Sequence, residues 1–218
     1  MKMQSYLKQI SRIIISSVLY FDCKKLLSNK SSDQKNKLIA IKNYRLKDFI
    51  KQKPELINEY VTALQYVRPK ETKNKVYHLS LKDVEFIKKN IYTENDEALI
   101  EIISKVQDIK KKKVFKLRIV DFFKILTSIK KQITIISKAE ESSLTSSEIN
   151  LKWLAVNGDE RMSKFGIYNT LELLSNGDAL KYEDYMNKSY SEIFTILLMR
   201  KTASDLKLEM EEIKLKND

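Results

Sequence analysis

The chain has few side chains whose types and spacing could carry out a reaction, and no group of them forms a catalytic set. The densest candidate group is Tyr182, Glu183, Asp184 and Tyr185, which follow one another in a segment predicted to be helical. Adjacent residues on a helix point about 100° apart, so Glu183 and Asp184 do not converge as an acid and base pair. A solvated helix face with inward-packing tyrosines explains this segment.

We predict structural roles for the single histidine, His78, and the single cysteine, Cys23. One Cys and one His cannot supply the four ligands of a thiolate zinc site, and a lone cysteine forms no internal disulfide. Neither the P-loop pattern nor the G-x-G-x-x-G dinucleotide pattern occurs. We therefore predict that the protein is not an enzyme, with no catalytic residues, no metal ligands, no cofactor and no small-molecule substrate.

Positive charge is concentrated in the first part of the chain. The net charge of +12 divides into about +16 for residues 1–132 and about −4 for residues 133–218. Such asymmetry indicates an acidic neighbour, either a nucleic acid or an acidic protein surface. The alternative is a lysine-rich composition in which the lysines are simply solvated.

The densest basic stretch could contact nucleic acid through phosphates, independently of base sequence. Lysine predominates there over arginine, which is the usual reader of bases, so specific recognition is disfavoured. An exposed turn kept soluble by its lysines is the competing explanation. The residues concerned are Lys110, Lys111, Lys112, Lys113, Lys116 and Arg118.

The elements that position these residues are predicted to be helices. Only three glycines and two prolines occur in 218 residues, whereas barrels and sandwiches need many tight turns. Hydrophobic residues make up 43%, which argues against intrinsic disorder. We predict a mainly α, multi-helix protein with long helices and at most a small β element.

Residues 1–140 are predicted to form a basic helical region. Its helices are expected at residues 3–27, 46–67 with an interruption at Pro54, 81–90 after a Ser80 cap, 94–108 after a Thr93 cap, and 119–140. A short strand is allowed at residues 115–119, where apolar and basic residues alternate, with "KLIAI" and "KVYHL" as partners. The apolar run at residues 13–21 imitates a signal peptide. It lacks small residues for cleavage and is too short to span a membrane, so a membrane role is not expected.

Residues 141–218 are predicted to form a smaller, acidic-to-neutral helical region after the Ser/Thr-rich linker 141–150. Helices are expected at residues 147–156, 160–174, 178–186 and 190–215, with Trp153 in the core and Gly158 and Gly177 in turns. Ser189 and Glu192 form a capping box at the start of the last helix. The first half of that helix is apolar on nearly every side, so it packs either in its own core or on other subunits. Its candidate interface residues are Tyr190, Phe194, Leu197 and Leu198.

The tract "WLAVNGDERMSKFGIYNTLELLSNGDALKYEDYMNKSYSEIFTILLMRKTASDL" resembles the C-terminal part of virion proteins from tailed, crAss-like bacteriophages. The resemblance is carried by Gly177-Asp178, Tyr182, Ser189-Tyr190 and Phe194, and it covers roughly the last half of the chain. It implies a structural ring, collar, neck or tail protein, located in the virion and assembled in the bacterial cytoplasm. Other virion proteins, a homo-oligomeric ring and DNA would be its partners. A tail-assembly chaperone and a sequence-independent nucleic-acid-binding accessory protein are the alternatives.

Overall fold

The computed structural model describes residues 43–64, 67–93, 95–145 and 151–217, and these are predominantly helical. No strand occurs among them; the only β pairing there is two isolated bridges, Arg45 with Arg118 and Ser80 with Ser189. The mainly α prediction is therefore confirmed. The predicted helix at residues 3–27, Cys23 and the "KLIAI" segment lie outside the described residues.

The described part of the chain contains eleven α-helices and two 3₁₀ helices. In chain order the α-helices are α1 (Leu46–Phe49), α2 (Pro54–Leu64), α3 (Leu81–Asn90), α4 (Asp96–Gln107), α5 (Lys111–Val114), α6 (Ile119–Leu144), α7 (Leu151–Ala155), α8 (Gly158–Ser163), α9 (Ile167–Ser175), α10 (Tyr182–Asn187) and α11 (Tyr190–Asn217). The 3₁₀ helices are Val76–His78 and Ala179–Lys181.

These residues form two compact units. The first comprises the described residues up to Val76 together with Phe86–Ile133, and the second comprises Tyr77–Glu85 with the described residues from Thr134 onward. Helices α3 and α6 each contribute residues to both units.

The first unit is built around the apolar faces of α4 and α6. Helix α4 begins where the Asn95 side chain accepts a hydrogen bond from the Ala98 N–H at 3.0 Å, and it ends at Asp108, whose φ is 50°. The prediction of Thr93 as the cap is wrong, since its hydroxyl donates to the Asn90 carbonyl at the end of α3. Between these ends, α4 buries a continuous apolar stripe: Leu99, Ile102, Ile103 and Val106.

Helix α6 has the apolar spacing predicted for it. Seven of its apolar residues, three or four positions apart, are buried: Ile119, Phe122, Phe123, Leu126, Ile129, Ile133 and Ile136. The strand allowed at residues 115–119 is wrong. That stretch is a turn whose backbone meets residues 44–47, because Leu46 N–H donates to Leu117 O and Ile119 N–H to Tyr44 O, both at 2.8 Å. "KVYHL" is likewise no strand, since Val76–His78 is a 3₁₀ helix.

In the second unit, backbone turns break the predicted helices into shorter ones. Residues 160–174 do not form one helix, because Gly166 adopts φ 51° between α8 and α9. Asn157 takes the left-handed position that was expected of Gly158, and Gly158 instead opens α8 beneath the Trp153 indole. Trp153 is 41% exposed, so its predicted core position is wrong. Its ring covers Gly158, and its Nε1 donates to Asp159 at 2.8 Å.

Gln132 connects two backbone segments of the first unit. Its Oε1 accepts the Val76 N–H at 2.8 Å, and its Nε2 donates to the Thr72 hydroxyl at 3.1 Å. Gln132→Met removes both bonds at similar side-chain length and leaves the Val76 N–H without this acceptor. We expect the free energy of unfolding, measured by urea titration, to fall by about 1 to 3 kcal/mol.

Lys131→Met is the matched control for this substitution. It makes a similar change at the adjacent, exposed position of the same helix, and it should alter stability by no more than about 0.5 kcal/mol. Equal losses in the two variants would show that the Gln132 hydrogen bonds contribute nothing measurable.

Candidate functional site

The predicted basic residues form one exposed group in the first unit, which we call the lysine cluster: Lys110, Lys111, Lys112, Lys113, Lys116 and Arg118. The cluster lies where α4 is followed by the four-residue helix α5 and then by α6. Val114 is fully buried and anchors α5, so the neighbouring lysines are left at the surface. The structure therefore brings together all six residues named from the sequence.

Two of these six residues have acidic partners. Lys111 Nζ lies 3.0 Å from Glu101 Oε2, and Arg118 Nε lies 2.8 Å from Asp121 Oδ2. The other four have no ion-pair partner among the described residues. These four lysines therefore leave positive charge that the described residues do not neutralise.

A shallow groove of about 460 Å³ borders the lysine cluster, lined by Ser104, Lys105, Asp108, Ile109, Lys110 and Lys113. The Asp108 carboxylate lies 2.5 Å from Lys73 Nζ, and this contact lowers the pKa of Asp108. Asp108 is therefore charged at neutral pH, which disfavours a phosphate at that end of the groove. Exposed lysines spread along a segment suit contacts with an extended polyanion.

The second unit holds nearly all of the exposed large hydrophobic side chains of the described residues. Among the described residues, every exposed large hydrophobic side chain except Tyr44 belongs to it. Scattered exposed apolar residues are ordinary, and a contiguous patch of them is the usual mark of an interaction surface. We call the following set the apolar surface: Leu151, Trp153, Leu154, Val156, Met162, Phe165, Tyr168, Leu173, Leu180, Leu198, Met199, Leu206, Leu208, Met210 and Ile213.

The four interface residues named from the sequence differ in exposure. Tyr190 is 3% exposed; its phenol donates to Glu140 at 2.7 Å, and its ring lies 5.8 Å from that of Tyr77. Burial raises the pKa of the Tyr190 phenol, and the bond to Glu140 raises it further. Tyr190 therefore belongs to the interior of its own unit, which corrects its prediction as an interface residue.

The other three interface candidates are more accessible than Tyr190. Phe194 and Leu197 are half-buried, and Leu198 is exposed. The most exposed apolar residues of α11 lie further along the helix, where Met199 is 68% and Met210 60% exposed. Sequence reasoning did not name these as interface residues, although their spacing was available as a signal.

Two side chains considered for chemistry, Tyr182 and His78, make structural contacts, as does Asp178. The Tyr182 phenol donates to Glu172, which raises the pKa of that phenol. Asp178 caps the Leu180 N–H at 3.1 Å and pairs with Lys181, an interaction that lowers the pKa of Asp178. The His78 ring lies 5.5 Å from that of Tyr77. No three His, Cys, Asp or Glu side chains of the described residues are grouped to hold a metal.

None of the helices in the described part is both long enough and apolar enough to cross a membrane. Comparison of the chain with protein-family models, curated proteins and solved structures finds no match.

Lys130, on α6, is the lysine whose ionisation is most perturbed within the described residues. Burial lowers the pKa of its ammonium group to about 8, and Nζ lies 5.5 Å from the centre of the Tyr92 ring. A lowered lysine pKa can mark a nucleophile. Here desolvation is the cause of the shift, and Lys130 does not line the groove beside the lysine cluster.

The lowered pKa of Lys130 predicts a pH-dependent stability. Between a folded pKa of about 8 and an unfolded pKa of about 10.4, the unfolded chain binds more protons, so stability rises with pH. From pH 8 to pH 10 we expect the free energy of unfolding to rise by about 2 kcal/mol relative to Lys130→Met, in urea titrations at each pH. Lys131→Met should follow the unsubstituted protein, and parallel profiles for Lys130→Met would contradict the assignment.

Proposed function

We propose that this chain is a non-enzymatic structural component of a tailed-phage virion, placed in the neck, ring, collar or tail. It assembles with other virion subunits through the apolar surface of its second unit. The observation that carries this proposal is the concentration of exposed large hydrophobic side chains in that unit. The resemblance of residues 153–206 to phage virion proteins supplies the setting.

Burial of apolar area drives most protein association, at roughly 25 cal/mol per Å² removed from water. Leu180 is 93% exposed, Leu151 75% and Met199 68%, so each has apolar area still to bury. The buried core of the second unit is small, with Leu171, Leu174, Tyr190 and Ile193 among its members. A unit with a small buried core and many exposed apolar side chains gains stability when a neighbouring subunit covers those side chains.

The lysine cluster gives the proposed component a second contact, with packaged DNA or with an acidic neighbouring subunit. A homo-oligomeric ring is the expected arrangement, formed in the bacterial cytoplasm and retained in the virion. A tail-assembly chaperone would use the same apolar surface differently, covering a tail protein temporarily and leaving before the particle is complete.

Quantitative mass spectrometry of purified particles tests this proposal. Particles of the phage that encodes the chain should contain it at a fixed, multiple copy number, because a structural subunit remains after assembly. The control is a lysate of infected cells taken before particle release, in which both candidates are present. Presence in the lysate with absence from the particle would contradict the structural role and support the chaperone.

A sequence-independent nucleic-acid-binding accessory protein is the second candidate, favoured by the four lysines of the lysine cluster that have no ion-pair partner among the described residues. Titration of duplex DNA at ~50 and ~200 mM salt should show binding that weakens steeply with salt. The triple variant Lys112→Glu, Lys113→Glu, Lys116→Glu should reduce the salt slope by about 2 to 3, since each phosphate contact contributes about 0.9.

The matched control is Lys51→Glu, Lys53→Glu, Lys75→Glu. It makes the same charge change at three exposed lysines of the first unit outside the lysine cluster. If both triple variants lose affinity equally, the effect comes from net charge alone. If the unsubstituted protein does not bind at the lower salt, this candidate is eliminated.

A further inference from the structure

Two arginines that are distant in the sequence are neighbours on the surface of the first unit. Arg45 and Arg118 form an isolated antiparallel β bridge. The two backbone hydrogen bonds that flank the bridge are made by neighbouring residues, so the arginines are a non-hydrogen-bonded pair. The Cα atoms of such a pair lie about 4.5 Å apart, and both side chains leave the backbone on the same face of the bridge.

This face of the bridge is the outer one. Both arginines are exposed, whereas Leu46 and Ile119, which follow them in the chain, are buried. The Arg45 side chain makes no capping hydrogen bond, and it has no ion-pair partner among the described residues. Like charges directly opposite each other on one face are destabilising. The stability of the bridge therefore gives no reason for two arginines at these positions.

The Arg118 guanidinium is held in place from one side. Its Nε lies 2.8 Å from Asp121 Oδ2, and the Asp121 side chain is only 16% exposed, whereas that of Arg118 is 53% exposed. The Nη groups of Arg118 have no partner within the described part of the chain. A guanidinium fixed through Nε keeps the donors of its outer edge for a ligand, and phosphate oxygens are acceptors that fit the planar fork.

The fold adds a lysine beside the arginine pair. The Lys47 N–H donates to Phe115 O at 3.1 Å, which places Lys47 next to the peptide bond that joins Phe115 to Lys116. Both lysines are exposed, and neither has an ion-pair partner among residues that the structure describes. Arg45 and Lys47 therefore join the lysine cluster in space, although they lie far from it in the sequence.

We propose that Arg45 and Arg118 form a phosphate-binding pair, and that this pair and the lysine cluster together contact the phosphodiester backbone of a nucleic acid. The inference rests on the second contact of the proposed function, and it names the ligand of that contact and two further residues, Arg45 and Lys47. Double-stranded DNA presents one negative charge per about 1.7 Å of its axis, so it can meet many neighbouring cations at once. An acidic protein would need an equally dense group of carboxylates.

Substitutions of Arg45 test the pair, because this side chain makes no contact on which the fold depends. In titrations of a mixed-sequence duplex DNA, Arg45→Gln should weaken binding at least ~5-fold and reduce the salt slope by about 1. Arg45→Lys keeps the charge and should leave the slope unchanged. It should still weaken binding at least ~3-fold, because an ammonium group cannot form two parallel bonds to a phosphate.

Arg161→Gln is the matched control. Arg161 is an exposed arginine of the second unit without an ion-pair partner among the described residues. Equal losses of affinity in Arg45→Gln and Arg161→Gln would overturn the pair, and so would an Arg45→Lys variant that binds as tightly as the unsubstituted protein. Thermal unfolding should show that the midpoint of Arg45→Gln does not fall, since one of two like charges has been removed.

Three polyanions identify the class of ligand. Duplex DNA and duplex RNA both carry phosphodiesters, and both should bind with a loss on Arg45→Gln. The tighter of the two identifies the source of the phosphates. Polyglutamate carries carboxylates instead and should compete poorly at equal charge concentration. Competition by polyglutamate as strong as that by DNA, or no binding of either duplex at ~50 mM salt, would overturn the assignment to nucleic acid.

The outcomes separate this inference from the proposed function. If purified particles contain the protein but the Arg45 variants bind DNA like the unsubstituted chain, the structural role stands and the phosphate-binding pair fails. If Arg45→Gln loses affinity as expected but particles lack the protein, the pair stands and the structural role fails.

Discussion

Removal of apolar side chains from water is the constraint on which this structure depends, and the two units meet it to different degrees. In the first unit the apolar stripes of α4 and α6 are buried, and Ile102, Ile103 and Ile129 have no exposed surface. Such burial is the main source of stability of a helical unit. In the second unit much comparable surface remains in water. The proposed function follows from that difference.

Local hydrogen bonds, more than burial, define where the helices of the second unit begin and end. Ser189 caps α11 through the Glu192 N–H at 3.3 Å, and Asp178 caps the 3₁₀ helix that precedes α10. Asn176, with φ 53°, ends α9 in the left-handed conformation, and Gly177 N–H donates to Glu172 O at 3.1 Å. Each such cap contributes only about 1 kcal/mol. They fix where helices begin and end, and they leave the apolar faces available to a partner.

The sequence predicts the helices that carry a long apolar period, and it fails where one residue decides a break. The stripe of α6, the break before Pro54 and the Ser189 cap were all recognisable, because each depends on neighbours within a turn or two. The break at Gly166 was missed, since a glycine of φ 51° and a helical glycine look identical in sequence. The lysine cluster was found because charge density is visible in the chain. The burial of Tyr190 was not predicted, because it depends on contacts with Glu140 and Tyr77, which are distant in sequence.

Any assembly held through the apolar surface would respond to temperature in a characteristic way. Hydrophobic association weakens on cooling, because its driving force near room temperature is entropic and carries a large heat-capacity change. Contacts made by the lysine cluster respond instead to ionic strength, which screens exposed charges. Complexes held through the second unit should therefore loosen in the cold, and kosmotropic salts such as sulfate should strengthen them. Chilling would thus act mainly on contacts of the second unit, whereas screening by dissolved ions would act mainly on contacts of the lysine cluster.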